Sequence, residues 1–176
     1  MIETIITDTP LGEMIAGATE KGICLLEFTD RKSRGTVKEH IMKVYDARTE
    51  ERNNEHLRNL EEQLREYFEG KRKDFTLPLD IKGSDFQKLV WNELRNIPYG
   101  TTRSYRDQAE AIMRPSSVRA VANANGMNTI AIIIPCHRVI GSDGRLTGYG
   151  GGLERKKWLI EHEKKHSDGI IEQSLF

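Results

Sequence analysis

From Ile130 to Ile134 the chain runs Ile-Ala-Ile-Ile-Ile without a polar side chain, and it then meets Pro135. Such a run has to lie in a core, and at this length it reads as a short buried segment. Pro135 ends it and delivers Cys136 to the rim of that core, followed directly by His137, Arg138, Val139 and Ile140. A thiol in that place is either inert filling or a nucleophile. The thiolate is the reactive form, and it needs a base or a positive field beside it to exist at neutral pH.

The 176 residues suffice for one large domain or two small ones. An apolar fraction of 37% can build a core, while a mean hydropathy of −0.59 and 31% charged residues describe a soluble protein. No stretch is long and apolar enough for a membrane span, and Met1-Ile2-Glu3-Thr4 lacks the start of a signal peptide, so a cytoplasmic location is expected. Cys24 and Cys136 are too few for a disulfide framework and neither belongs to a Cys-x-x-Cys pair, which agrees with a reducing compartment. Cys24 lies in the apolar run Gly22–Phe28 and reads as a buried small hydrophobe. The five histidines show no paired ligand spacing, so no metal is expected.

Net charge is zero, but it is unevenly spread. Residues 1–83 carry 14 Lys/Arg against 17 Asp/Glu, residues 84–157 carry 11 against 6, and the last 19 residues carry 2 against 4. The basic excess falls on the half that holds Cys136. A polyanionic partner suits that half, because nucleic-acid affinity is mostly phosphate neutralisation; a merely solvated surface is the alternative.

The first thirty residues are β-rich runs broken by Gly12, Gly17 and Gly22, which predicts an antiparallel meander, and residues 46–56 read as a loop. From His56, the spacing of Leu57, Leu60, Leu64, Tyr67 and Phe68 predicts a helix that Gly70 stops. A domain boundary is expected near residue 80. Beyond it, Ser84-Asp85-Phe86-Gln87 is a capping-box pattern, and Phe86, Leu89, Val90, Leu94 and Ile97 form one stripe. Ser104 can cap a second helix, and Pro115-Ser116-Ser117 can open a third that ends at Gly126. Two short helices joined by a tight turn suggest a helix-turn-helix. The third helix offers small or polar surface candidates in Ala120, Ala122, Asn123 and Ala124, which fits either close packing on a neighbour or an approach to DNA. Two glycine-rich turns, 141–144 and 148–152, flank an expected short hairpin, and a last helix runs from Leu153 to about Lys165.

With Pro135-Cys136-His137-Arg138-Val139-Ile140 in view, the chain resembles the O6-alkylguanine-DNA alkyltransferases. The likeness continues through Tyr99–Tyr105, Arg119-Ala120-Val121, Asn128, Gly148–Leu153 and Trp158–Glu163. It implies an α+β fold: a ribonuclease-H-like domain over residues 1–80, a helical winged-helix or helix-turn-helix DNA-binding domain over 81–166, and a tail, 167–176. It also implies direct damage reversal in duplex DNA, in which Cys136 takes the alkyl group of O6-alkylguanine permanently, with O4-alkylthymine left open and no cofactor needed. In this family the histidine after the cysteine deprotonates it through a water and is oriented by a carboxylate, roles that match His137 and Glu163. Tyr105 matches the tyrosine that donates near the base, and Asn128 the asparagine that braces the active-site turn. Val139, Tyr149, Gly150 and Lys156 match the substrate pocket. Arg119 would fill the stack vacated by a flipped nucleotide, while Ala120, Ala124, Arg103 and Ser104 would lie on DNA.

Departures from the family pattern matter too. The cysteine–histidine cluster of zinc-binding relatives is missing, and Ala131 replaces a proline that helps some relatives grip bulky aromatic alkyl groups. Two other classes stay open: a thiol hydrolase built on Cys136, His137 and Glu163, and a DNA-binding module in which Cys136 is structural. Stoichiometry separates them, as one group per molecule, many turnovers, or none. A monomer is expected. The terminal Gln173-Ser174-Leu175-Phe176 resembles, loosely, the peptides that dock on replication sliding clamps, with a frayed or self-packed end as the alternative.

Overall fold

The computed structural model describes residues 1–31 and 37–174, with side chains up to Ser167. It divides into two compact units: 1–88 with 129–131, and 89–128 with the chain from 132 onward.

In the first unit, β1 (Ile2–Thr9), β2 (Gly12–Thr19) and β3 (Gly22–Phe28) form the expected antiparallel meander. Gly17 does not break it; the residue sits inside β2, where the register against β3 shifts between Gly17 and Ala18. Gly22 has a different role. Its φ of 147° belongs to glycine, and a Cβ there would stand 2.3 Å from the Pro78 carbonyl oxygen. That close approach lets Ile23 donate to Pro78 O at 2.9 Å and Asp80 to Ile23 O at 2.8 Å, so the chain near Leu79 runs parallel beside β3. Residues 129–131 join β3 too, through Leu26 N to Thr129 O and Ala131 N to Leu26 O, both 2.8 Å.

Two elements depart from the sequence reading. A helix, α1 (Val37–Tyr45), precedes β4 (Thr49–Glu51), which lies in the segment expected to be a loop and pairs parallel with β1 from Ile2↔Thr49 to Thr4↔Glu51. The sheet order is β3-β2-β1-β4. The helix α2 (Glu55–Phe68) agrees with its apolar spacing: Leu57, Leu60, Leu64 and Tyr67 are buried, Asn54 Oδ1 caps Leu57 N at 2.9 Å, and Gly70 terminates the run with φ 77°.

The second unit is helical. Ser84 and Gln87, still within the first unit, exchange the expected capping-box bonds at 3.1 and 3.0 Å at the start of α3 (Asp85–Leu94), whose residues from Leu89 on belong to the second. Val90, Leu94 and Ile97 are buried, but Leu89 is 41% exposed and Trp91 takes the inward place. Trp91 Nε1 donates to Ala124 O at 2.8 Å. After β5 (Arg103–Ser104), the hydroxyl of Ser104 caps α4 (Tyr105–Ala111) in a full capping box with Asp107. The third helix, α5 (Val118–Gly126), packs on α4. Between the two, Gln108 and Asn125 exchange reciprocal amide hydrogen bonds of 2.8 and 2.7 Å, both side chains being buried. The expected hairpin around residues 141–152 is not formed. A two-residue strand, β6 (Val139–Ile140), pairs parallel with β5, and 141–152 is a loop of turns. The last helix, α6 (Leu153–Ser174), runs on beyond Lys165. Leu175 and Phe176, half of the clamp-like motif, lie outside the described residues, as do the side chains of Gln173 and Ser174.

The reciprocal amide pair gives a test of the helix-turn-helix packing. Gln108→Leu or Asn125→Leu strands one buried amide and should cost about 1–3 kcal/mol, whereas the double substitution removes both polar groups and should recover most of that loss. At this chain length each kcal/mol corresponds to roughly 2–4 °C in thermal midpoint, measurable by calorimetry on the three variants.

Candidate active site

Every residue from Ile130 to Ile134 is buried, as the composition of the run demands, but the run is a turn and not a strand. Ile132 has φ 71°, an uncommon conformation for a β-branched residue, so its surroundings must hold the turn in place. Asn128 does so from the end of α5. Its Nδ2 donates to Ile134 O at 2.8 Å and to Cys136 Sγ at 3.3 Å. One amide thus fixes the backbone just before the thiol and points a donor at the sulfur, which favours the thiolate.

Cys136, His137 and Arg138 form one turn of 3-10 helix. At about three residues per turn, consecutive side chains point roughly 120° apart. Cys136 reaches a cavity of about 400 Å³, while His137 and Arg138 turn to α6. His137 Nε2 lies 2.7 Å from Glu163 Oε1. Arg138 forks onto the same carboxylate, Nε to Oε2 at 2.8 Å and Nη2 to Oε1 at 3.0 Å, and Gly100 N donates to Oε2 at 3.3 Å. Glu163 and His137 are 1% and 0% exposed. Burial by itself would raise the Glu163 pKa, but His137 and Arg138 beside it hold the carboxyl well below the usual carboxylate range. His137 Nδ1 is buried with no hydrogen-bond partner among the described residues.

The cavity is lined by Tyr105, by Val118, Arg119, Ala122, Asn125 and Gly126 of α5, by Cys136, and by the loop Thr147–Gly150. Tyr105 donates its hydroxyl to Thr147 O at 2.7 Å and accepts from Lys156 Nζ at 3.3 Å. Lys156, fully buried, also donates to Thr147 O at 2.9 Å and Gly148 O at 3.1 Å. Burial pushes its amine down to about 8 and pushes the Tyr105 hydroxyl up. The other cysteine presents the contrast that tells the two thiols apart: Cys24 is 0% exposed, and burial, then Asp80, push its thiol up to about 12.

The structure therefore brings together Cys136, His137, Glu163, Asn128 and Tyr105, with Tyr149, Gly150 and Arg119 at the cavity. Four expectations need correction or refinement. Ala124 is not a surface residue: it is 2% exposed, on the face of α5 turned to Trp91. Val139 is fully buried in the β5–β6 ladder and does not line the cavity. Lys156 stands behind the Tyr105 and Thr147–Gly148 wall instead of lining it. Ser104 is half-buried with its hydroxyl engaged as the cap of α4, whereas Arg103, Arg119 and Ala120 are exposed. The sequence reading missed Arg138 as a member of the site, although it follows the histidine inside the motif; the period of a 3-10 turn was the available signal.

Comparison with known proteins agrees with this geometry. The family model for the ribonuclease-like domain of 6-O-methylguanine DNA methyltransferase matches residues 2–81, and that for its DNA-binding domain matches residues 85–165. The chain is 43% identical to a methylated-DNA–protein-cysteine methyltransferase of Methanosarcina barkeri, over 92% of this chain and 96% of that one. Among solved structures, the Mycobacterium tuberculosis O6-methylguanine methyltransferase superposes with a TM-score of 0.80 at 38% identity, covering 94% of each chain. The Mycobacterium tuberculosis OGT in complex with DNA gives 0.78 at 40% identity, covering 94% and 93%. A site of this construction, on two domains that match in order and extent, places the chain in the 6-O-methylguanine DNA methyltransferase family.

Proposed function

We propose that Cys136 is the acceptor thiol of a single-turnover alkyl transfer from O6-alkylguanine in duplex DNA. Repair by moving an alkyl group from DNA to a protein cysteine is the activity of this family. The observation that carries the assignment to Cys136 is its position: the sulfur opens into the cavity, receives a donor from Asn128, and precedes a histidine whose far side is held by a buried, ionised carboxylate.

The chemistry follows from those groups. The thiol proton passes through a water to Nδ1 of His137, while Nε2–H donates to Glu163. The Cys136 thiolate attacks the alkyl carbon, an S–C bond forms as the C–O6 bond breaks, and the electron pair leaves with guanine. Tyr105 stands at the cavity to donate toward the departing base, a role that requires it to exchange its bond to Thr147 O for one to the purine. Because the thioether is stable, each molecule acts once.

The target carbon is out of reach in stacked duplex, so the nucleotide has to swing out, at about a few kcal/mol. Arg119, exposed on α5 and lining the cavity, would fill the emptied stack. Ala120, exposed beside it, lets the helix lie close in the minor groove, and Arg103 adds a phosphate contact. Contacts to backbone without base reading suit a protein that scans any sequence. Both cysteines are free, which fits action in a reducing compartment such as the cytoplasm.

Three measurements test this reading. Cys136→Ala should abolish transfer from a methylated duplex while DNA binding persists, and mass spectrometry of the wild type should find one methyl group per molecule on the Cys136 peptide; transfer by the variant would overturn the assignment. Arg119→Ala should slow repair in duplex by roughly 10–100-fold, equivalent to about 1.4–3 kcal/mol, yet barely change the reaction with free O6-methylguanine, and equal slowing of both would remove the arginine from the flipping step. Glu163→Gln should lower the rate at pH 7 by roughly 10²-fold, with partial recovery at high pH where the thiol ionises unaided. Since the Glu163 pKa is depressed in the fold, its contribution to stability is complete above the unfolded value of about 4.3 and is lost as pH falls toward the folded value, so the Gln variant should show a flatter acid limb in unfolding experiments.

A further inference from the structure

We propose that Asn123 is a specificity-determining residue of the DNA interface: from the solvent face of α5 its amide bonds guanine N3 and the 2-amino group in the minor groove beside the lesion. Repair is then faster next to a G·C pair. The inference rests on the reading above, in which α5 enters the minor groove with Arg119 in the emptied stack, and adds one base contact to the backbone contacts.

Placement on the helix is the first support. Within α5, Arg119, Ala120, Asn123 and Gly126 are exposed, Ala122 is half-buried, and Val121, Ala124 and Asn125 are buried. At about 100° per residue, Asn123 stands one turn beyond Arg119 and between it and Ala120 around the axis. Arg119, Ala122 and Gly126 border the cavity and Asn123 does not, so it occupies the same exposed arc just past the cavity. A minor groove is about 6 Å wide and a helix with ordinary side chains about 10–12 Å across, so base edges are reached only by a short side chain on a face free of large ones. Asn123 has Ala120 and Gly126 beside it on that arc, and a Cβ placed on Gly126 would meet nothing within 4 Å.

Residue type is the second support. Asparagine is a poor helix former, because its amide competes for backbone groups, yet α5 holds two. Asn125 is explained from within the fold by its reciprocal bonds to Gln108. Asn123 is exposed, and its side chain makes no hydrogen bond among the described residues. An amide carries a donor and an acceptor side by side. In the minor groove an A·T pair shows acceptors only, whereas guanine sets its 2-amino donor next to the N3 acceptor, so the amide meets the first with one bond and the second with two. One helical turn separates Asn123 from Arg119 by about 5–6 Å at Cβ. At about 3.4 Å per base step, that distance selects the first or second pair beside the lesion. Backbone contacts govern where the protein lands, and this amide acts afterwards, holding the neighbouring pair while the stack opens.

The experiment measures second-order rates of single-turnover transfer by wild type and Asn123→Ala from methylated duplexes. The two pairs on each side of the lesion are varied in turn among G·C, inosine·C, A·T and 2,6-diaminopurine·T. Inosine is guanine without the 2-amino group and diaminopurine is adenine with it, so the set isolates that group. Wild type should repair the guanine and diaminopurine contexts roughly 5–10-fold faster than the inosine and adenine contexts, at one position on one side of the lesion. Asn123→Ala should lose that difference by becoming slower in the first two. Duplex stability works in the opposite direction, since the 2-amino group adds a base-pair hydrogen bond, and the variant reports that background. Alanine is the better helix former at an exposed site, so the variant should melt no lower than wild type. Three results would overturn the inference: wild-type rates that ignore the 2-amino group, a preference that survives in Asn123→Ala, or equal slowing of the variant in all four contexts, as loss of a phosphate contact would give. Failure of the underlying reading looks different, because wild type would then leave Cys136 unmethylated in every context.

Discussion

A single buried carboxylate organises the catalytic unit. Glu163 is the meeting point of three stretches far apart in sequence: the loop after α3 through Gly100 N, the Cys136–Arg138 turn through its two basic side chains, and α6, which carries it. Taking such a group out of water costs several kcal/mol, and the cost is offset only when its lone pairs are met with good geometry. At least four hydrogen bonds meet them here, so the two residues that follow Cys136 can hardly shift without leaving a buried charge uncompensated. Gly100 shows how closely the loop is fitted: with φ 78°, a Cβ on it would fall 2.5 Å from Ser167 Oγ and 3.3 Å from Glu163 O. Rigidity at the thiol is thus a by-product of electrostatic necessity one residue away from it.

The opposite wall of the cavity is built on another principle. Lys156 is an amine with no carboxylate among the partners that hold it: two carbonyls and one hydroxyl satisfy its donors, and burial pulls its pKa toward neutrality. Its bonds tie Tyr105, at the start of α4, to the Thr147–Gly148 loop. That arrangement is softer than the Glu163 cluster, because hydrogen bonds to carbonyls can be exchanged for bonds to a purine at little net cost. A rigid floor under Cys136 and an exchangeable wall that can accept a base are what the proposed alkyl transfer from a flipped nucleotide requires.

Much of this was legible in the sequence, and the limits of legibility have physical causes. Elements that bury an amphipathic stripe or carry their own caps were readable: the stripe from Leu57 to Phe68 with its stop at Gly70, and the capping pattern Ser84-x-x-Gln87, state their course, end or beginning in local chemistry. The strand β4 was not, because three residues of an edge strand are held by backbone bonds to β1 and need no alternation of side chains. The helix α1 left a trace in the four-residue spacing of Val37, Ile41 and Tyr45, which its charged intervening residues obscure. Within the site, Cys136, His137, Asn128 and Glu163 were identifiable through the family motif. The distinction between lining the cavity and supporting it, which separates Tyr149 from Lys156 and Val139, depends on the direction of each side chain relative to a wall that only the folded chain defines.

The same reasoning explains why α5 can serve two surfaces with nine residues. Ala124 and Asn125 point inward, where Trp91 Nε1 and Gln108 bind them through hydrogen bonds of fixed direction, and Arg119, Ala120 and Asn123 face solvent. Apolar packing alone would leave such a short helix free to slide or roll against α4, since hydrophobic contact is non-directional. Two reciprocal amide bonds and one indole bond remove that freedom. Asn125 lines the cavity as well, and Asn128, two residues beyond the helix, braces the sulfur. The residues proposed to meet DNA are therefore rigidly linked, through the inner face of one helix, to the residues that hold the nucleophile, and the register between α4 and α5 sets where a flipped base would stand relative to Cys136.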